Sequence, residues 1–339
     1  MDIHAWKHNG ATTLKDVARE VGVSESVASV VLNGSRSQTR VSQETRMKVH
    51  EAAERLGYRP NGVARSLVRG KTNRIGIYGG YLAGRPDEPF SGAILRAIFE
   101  EAGLNNLDVV MHTNGGRDGR ALDLVANRAI DGLILHANAK DAILPLLGEL
   151  RVPAIAIADR IEALPSIVAD DREAGAMLAL HLHQCGHRRV LVKRVRFGSS
   201  RSTIDRFLGF LGAAEALGLQ CDESEVEVAD GKVITRADFE TLSSKTNRVT
   251  AVMHSHESHA VRACEEMVAL GLRIPGDVAV VTCDSYESLF AKRYNVTSIR
   301  LPWHEVGVRA VAQLMALIRG ESVPAMTVIP GEFVRGETT

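Results

Sequence analysis

No apolar run in this sequence reaches the roughly 18–20 residues that a bilayer-crossing helix requires, so no membrane partner is expected. The opening stretch, MDIHAWKHNG, has no apolar core of the kind a secretory leader carries. Cysteine is scarce: Cys185, Cys221, Cys264 and Cys283 stand far apart. They show neither the CxxC spacing of metal and redox motifs nor the density of a disulfide framework. Together these absences predict a cytoplasmic protein with reduced thiols. Catalytic signatures are missing too. There is no GxSxG, no HExxH, no Walker loop and no GxGxxG after a strand, so no enzyme class and no cofactor is indicated. Gly79-Gly80 and Gly115-Gly116 are too short to cradle a phosphate.

What the chain does have is length and a segregated charge. Its 339 residues exceed one ordinary core and predict two or three domains. Whole-chain charge balances, with 41 basic and 41 acidic side chains. Residues 1–71, however, carry twelve basic against seven acidic residues, a net of +5, which leaves −5 for the remainder. Such asymmetry suggests a small polyanion-binding module joined to a neutral or acidic body, although a charged helix bundle would give the same balance.

The segment Thr12 to Asn33, TTLKDVAREVGVSESVASVVLN, reads as two short helices. Thr13 caps the first, with Leu14, Val17, Ala18 and Val21 on one face. Gly22 ends it, and Ser24 caps the second, with Val27, Ala28, Val31 and Leu32 at helical spacing. This is a helix-turn-helix pattern. A third helix spans about Ser42 to Leu56. Beyond Asn73, strand-length apolar runs alternate with helical stretches. Strands are expected at Arg74–Tyr78, Leu107–His112, Gly132–Leu135, Ala154–Ala158, Ile167–Ala169, Arg189–Lys193, Val249–Met253 and Val278–Val281. Helices are expected at Ser91–Gly103, Arg120–Arg128, Asp171–Cys185, Ser202–Leu217, Ser258–Leu270 and Trp303–Arg319. That alternation predicts parallel sheets covered by helices, and the strand number favours two doubly wound subdomains.

TLKDVAREVGVS at 13–24, VVLNG at 30–34, VSQETRMKVHEAAERLGYRPN at 41–61 and ARSL at 64–67 closely resemble the DNA-binding headpiece of lactose-repressor (LacI) type regulators. The resemblance continues through RIGI at 74–77, AIDGLIL at 129–135, GHRRV at 186–190, IPGDVAVVTCD at 274–284 and TSIRLP at 297–302. It implies an all-α helix-turn-helix headpiece fused to a periplasmic-binding-protein-like α/β core of two doubly wound parallel-sheet subdomains. The expected divisions are a headpiece over 1–59, a hinge helix and linker over 60–71, and a core over 72–339. Within the core, one subdomain takes about 72–168 and 301–328, the other about 169–300 and 329–339. The function implied is transcriptional regulation: a homodimer on a palindromic operator, its DNA affinity changed by a sugar or sugar acid. A sugar-binding or sugar-modifying protein carrying a headpiece, and a ligand-blind DNA binder, are the competing readings.

Carried over from the family, Glu25 and Ser26 read bases while Thr13, Ser24, Ser29 and Asn33 orient on phosphates. Glu25 could equally be a solvated helix-start residue, and Arg40 either enters the DNA or stays solvated. Val30 stands where the family commonly has an arginine, so operator sequence cannot be transferred. In the hinge, Leu67 matches a leucine levered into the minor groove, Ala64 the small residue at a helix crossing, and Asn61 and Arg65 flanking contacts. An ordinary linker helix is the alternative.

Ligands of α/β sheets bind at the carboxyl ends of strands. Family positions there match Asp159, His256, Asp284 and Trp303, with Arg206 reaching in from a helix. Arg206 could instead make an interdomain salt bridge, and Asp159 and Trp303 could simply line the interface. His254, His256 and Glu257 have spacing compatible with zinc, but convergence with His259 is not assured and no metal is assigned. His256 replaces an amide usual in the family and is expected as a protonatable donor to an anionic effector, or as a residue with no ligand role.

Overall fold

A computed structural model of the chain describes residues 12–33, 40–59, 70–79, 89–112, 129–137, 141, 143–195, 200–226, 232–246, 248–284 and 294–339. The chain divides into two compact units, one of residues 1–74 and 128–131, the other of residues 75–127 and 132–339.

The first unit holds α1 (Leu14–Val21), α2 (Glu25–Asn33) and α3 (Gln43–Arg55). Thr13 and Asp16 cap α1 reciprocally: Thr13 N–H donates to Asp16 Oδ2 at 3.0 Å, and Asp16 N–H to Thr13 Oγ1 at 3.4 Å. Two orphan helix-start donors are thereby satisfied. Gly22 takes φ 72°, a left-handed turn that lets Val23 N–H reach the Ala18 carbonyl at 3.0 Å. Ser24 Oγ accepts from Val27 N–H and Ser42 Oγ from Thr45 N–H, each at 3.2 Å. The three helices share a core of Val17, Ala18, Ala28, Val31, Val49, Ala52 and Ala53. Each buried valine contributes about 1.5–3 kcal/mol, and the alanines let the helix axes approach closely. In the same unit Asp131 accepts from Thr72 N–H at 2.7 Å and Asn73 N–H at 2.8 Å.

The second unit contains two six-stranded sheets. The first runs β11-β5-β4-β3-β1-β2, from β1 (Arg74–Tyr78), β2 (Asp108–His112), β3 (Gly132–Leu135), β4 (Ala154–Ile157), β5 (Ser166–Ala169) and β11 (Met326–Ile329). The second runs β12-β10-β9-β8-β6-β7, from β6 (Arg189–Val195), β7 (Gln220–Val226), β8 (Ala251–His254), β9 (Ala279–Cys283), β10 (Thr297–Arg300) and β12 (Glu332–Val334). In the second sheet β6 to β10 pair in parallel and β12 runs antiparallel to β10. Central strands β3, β4, β8 and β9 are buried at every residue, as a parallel sheet covered on both faces requires.

The helices of this unit are α4 (Pro89–Leu104), α5 (Asp171–Gln184), α6 (Arg201–Ala216), α7 (Arg236–Leu242), α8 (Glu257–Ala269) and α9 (Trp303–Ile318), with a 3-10 turn at Leu144–Glu149. The eight expected strands and five of the six expected helices are present within a few residues of their anticipated ends; Arg120–Arg128 lies outside the described residues. Four strands were not anticipated, β7, β10, β11 and β12, and all but β10 are sheet edges. An edge strand meets water, so it lacks the continuous apolar run that marked the others; β7 reads QCDESEV.

Helices α5 and α6 lie backbone to backbone. A β-carbon on Gly175 would collide with the Arg206 carbonyl, and one on Gly209 with the Arg172 carbonyl. This approach brings the first turn of α5 against the middle of α6.

Candidate functional site

At the start of α2 the exposed side chains are Ser24, Glu25 and Ser26. The Ser24 hydroxyl is committed to Val27 N–H, and the Thr13 hydroxyl donates to Asp16 Oδ2 at 2.7 Å. One turn on, Ser29 is half-buried and accepts from Asn33 Nδ2 at 3.1 Å. Asn33 itself is only 4% exposed, so meeting a phosphate requires its amide to leave that position. Val30 is buried rather than offered to a groove. Arg40 is exposed. Asn61, Ala64, Arg65 and Leu67, with the hinge, lie outside the described residues.

A second constellation forms where the carboxyl ends of the two sheets meet. Arg206, on α6 and 2% exposed, donates Nε to Asp171 Oδ1 at 2.7 Å. Its Nη1 donates to the Ser255 carbonyl at 3.1 Å and to Asp284 Oδ2 at 3.2 Å. The other Asp284 oxygen accepts from Trp303 Nε1 at 2.5 Å. The guanidinium carbon lies 5.8 Å from the Trp303 ring centroid, within range of a cation–π contact. Phe90 meets that indole edge-on at 4.7 Å and His136 at 5.6 Å. Asp159, just beyond β4, accepts from Ser202 N–H at 2.8 Å and so caps α6, tying a strand end of the first sheet to a helix of the second. Ala158 and Asp284 both have φ 65°, a left-handed conformation uncommon for such residues that re-aims the chain at these strand ends.

Of the five residues expected at this site, Asp159, His256, Asp284 and Trp303 follow strand ends and Arg206 reaches in from α6. Arg206, Asp284 and Trp303 contact one another directly. Asp171, Ser255, Phe90 and His136 also belong to the arrangement and were not anticipated. Asp171 and His136 directly follow strands β5 and β3 within two residues, so the strand-end rule could have found them; Phe90 carries no such signal. At the end of β1, Tyr78 OH donates to Asp141 Oδ1 at 2.6 Å.

Burial pushes the Asp171 carboxyl up to about 7 against the opposing pull of Arg206. Burial also works to discharge Arg206, but Asp171 and Asp284 beside it outweigh that and hold it charged. Burial, Arg206 and His259 together hold His256 well below the usual histidine range. These effects work against the protonated form expected of His256 as a donor, and its Nδ1 lies 2.8 Å from Ser255 Oγ. Among the described residues no group of three or more His, Cys, Asp or Glu is placed to hold a metal ion. No described helix is long and apolar enough to cross a membrane.

Residues 13–61 match the model of bacterial regulatory proteins of the lacI family, and residues 179–339 match a periplasmic binding protein-like domain. The chain is 28% identical over 330 residues to the HTH-type transcriptional regulator GalR of Escherichia coli (strain K12), covering 93% of this chain and 92% of that one. Among solved structures it resembles the lac repressor dimer bound to operator and the anti-inducer ONPF, with a TM-score of 0.80, 25% identity and coverage of 96% and 98%. It also resembles a complex of the transcriptional regulator CelR with cellobiose, with a TM-score of 0.68, 25% identity and coverage of 97% and 100%. With both halves of the architecture matched in order along one chain, this protein carries the DNA-binding domain of the lacI family of bacterial regulatory proteins followed by a periplasmic binding protein-like domain.

Proposed function

We propose that the chain is a cytoplasmic transcriptional regulator that binds a palindromic operator as a homodimer and changes its DNA affinity when a small hydroxyl-rich molecule occupies the junction of the two sheets. Its relatives are regulators rather than enzymes. In this reading Glu25 and Ser26 face bases, and Thr13, Ser24, Ser29, Asn33 and Arg40 serve backbone contacts, with the hinge residues Asn61, Ala64, Arg65 and Leu67 at the minor groove. The core divides into subdomains of about 72–168 with 301–328 and about 169–300 with 329–339.

The observation that carries the effector assignment is the buried cluster of Arg206, Asp284 and Trp303 at the strand ends. A carboxylate and a guanidinium present acceptors and donors to sugar hydroxyls, and the indole supplies an apolar wall. Charge favours a neutral ligand over a sugar acid: Asp171 and Asp284 both contact the one guanidinium, and burial beside Arg206 disfavours a charged His256. The test is selection of an operator from a library of inverted repeats, followed by titration of that complex with neutral sugars and with sugar acids. A neutral sugar that shifts operator affinity supports the reading; a shift produced by sugar acids alone overturns the assignment of a neutral effector.

A further inference from the structure

Away from the strand-end cluster, at the amino ends of the second sheet, lies a cavity of about 310 Å3. Arg188, Arg189 and Arg248 line it together with Gln220 and Thr250, and no carboxylate does. Gly186 and Gly218, which follow α5 and α6, complete the lining; a side chain added at either would meet nothing within 4 Å, so the mouth is open.

Each guanidinium is anchored by groups outside the lining. Arg188 Nη1 donates to the His183 and His187 carbonyls at 3.2 and 2.8 Å. Arg189 Nη2 donates to Asp222 at 3.0 Å. Arg248 Nη2 donates to the Asp277 carbonyl at 2.5 Å and lies 3.7 Å from the Asp277 carboxylate, which is also engaged by Arg273 at 2.9 and 3.1 Å. Compensation is therefore incomplete. Among the described residues Arg188 has no carboxylate within ion-pair distance, and Arg248 Nε is buried without a hydrogen-bond partner. A guanidinium carries five N–H donors in a planar fork, and the contacts of Arg188 and Arg248 use only part of theirs. Asp222 and Asp277 balance part of the charge of Arg189 and Arg248, and an anion with several oxygens would bridge the donors that remain; the fork geometry matches phosphate in particular.

We propose that this cavity binds a phosphate-class oxyanion, as free phosphate or as the phosphoryl group of a small ester, at a ligand site separate from the one containing Arg206. Its existence does not depend on the identity of the effector.

Calorimetric titration of the full chain with inorganic phosphate and with glycerol phosphate, against chloride at matched ionic strength, tests it. Wild type binds saturably at one site, and Arg206→Lys binds equally well. Gln220→Glu disturbs none of the arginine anchors but adds a like charge to the anion, and weakens binding about tenfold or more; Arg248→Gln weakens it too. Tighter binding of the ester identifies a metabolite as the source, and equal binding identifies free phosphate. Absence of saturable heat, or affinity unchanged in both Gln220→Glu and Arg248→Gln, overturns the proposal. So does binding lost in Arg206→Lys but kept in Gln220→Glu.

Discussion

Arg206 and Asp171 stand 2.7 Å apart on neighbouring helices with both side chains almost wholly removed from water. Deleting one member of such a pair strands the other charge, which typically costs about 3–5 kcal/mol. Arg206→Ala strands two carboxylates, Asp171 and Asp284, and is expected at the upper end of that range. Asp171→Asn costs less, because a carboxyl held at about 7 is already partly protonated at neutral pH. Denaturant unfolding of the two variants at pH 7 checks the order. An Asp171→Asn protein less stable than Arg206→Ala contradicts it.

The pair depends on glycine. At Gly209 a β-carbon would collide with the Arg172 carbonyl, so Gly209→Ala must force α5 and α6 apart. The expected loss is about 1–3 kcal/mol, the usual range for overpacking, measured by thermal or denaturant unfolding. Unchanged stability contradicts the close approach.

How much of this was legible in the sequence depended on where the burial signal lay. Strands such as GLIL and AIAI are buried on both faces and announced themselves as apolar runs, whereas β7, facing water at a sheet edge, did not. Arg206, Asp284 and Trp303 were named in advance because the family motif and the strand-end rule coincide there. Asp171 read only as a helix start. Its role comes from the contact that Gly175 and Gly209 permit between helices about 30 residues apart, and no local pattern encodes that. Burial beside Arg206 disfavours a charged His256, and residue type alone carries no information on that burial.

His254, at the end of β8, is fully buried, and neither ring nitrogen has a hydrogen-bond partner among the described residues. Burial, with His259, Lys193 and His256 nearby, holds its pKa well below the ordinary 6.5. The unfolded chain therefore takes up the proton first, so this residue's share of stability is present above pH 6.5 and is lost as pH falls below it. His254→Leu should gain about 1–3 kcal/mol at pH 7.5 by removing unsatisfied polar atoms, and should lose less stability than wild type between pH 7.5 and 5.5. Unfolding curves at the two pH values decide; an identical acid dependence contradicts the assignment.

In the headpiece, Glu25 is exposed at the first turn of α2. Glu25→Gln removes a charge that repels phosphate and replaces an acceptor-only group suited to cytosine N4 with an amide that both donates and accepts. Affinity for unrelated DNA should rise, while preference at one operator position falls by about 1–3 kcal/mol, the scale of a base contact. Binding to a set of single-base operator variants measures both. An unchanged preference profile assigns Glu25 to solvent.

In the proposed function the Arg206 cluster couples a small hydroxyl-rich ligand to operator binding. The direct measurement is fluorescence anisotropy of a labelled operator duplex with wild type and Arg206→Lys, each with and without a panel of neutral sugars and gluconate. Lysine keeps the charge but loses the planar fork that holds Asp171 and Asp284 together. A neutral sugar should change wild-type operator affinity by about 5–150-fold, the usual range of coupling between sites. The same sugar should leave Arg206→Lys unchanged, while its sugar-free operator affinity stays near wild type. An equally large shift in Arg206→Lys would contradict the claim.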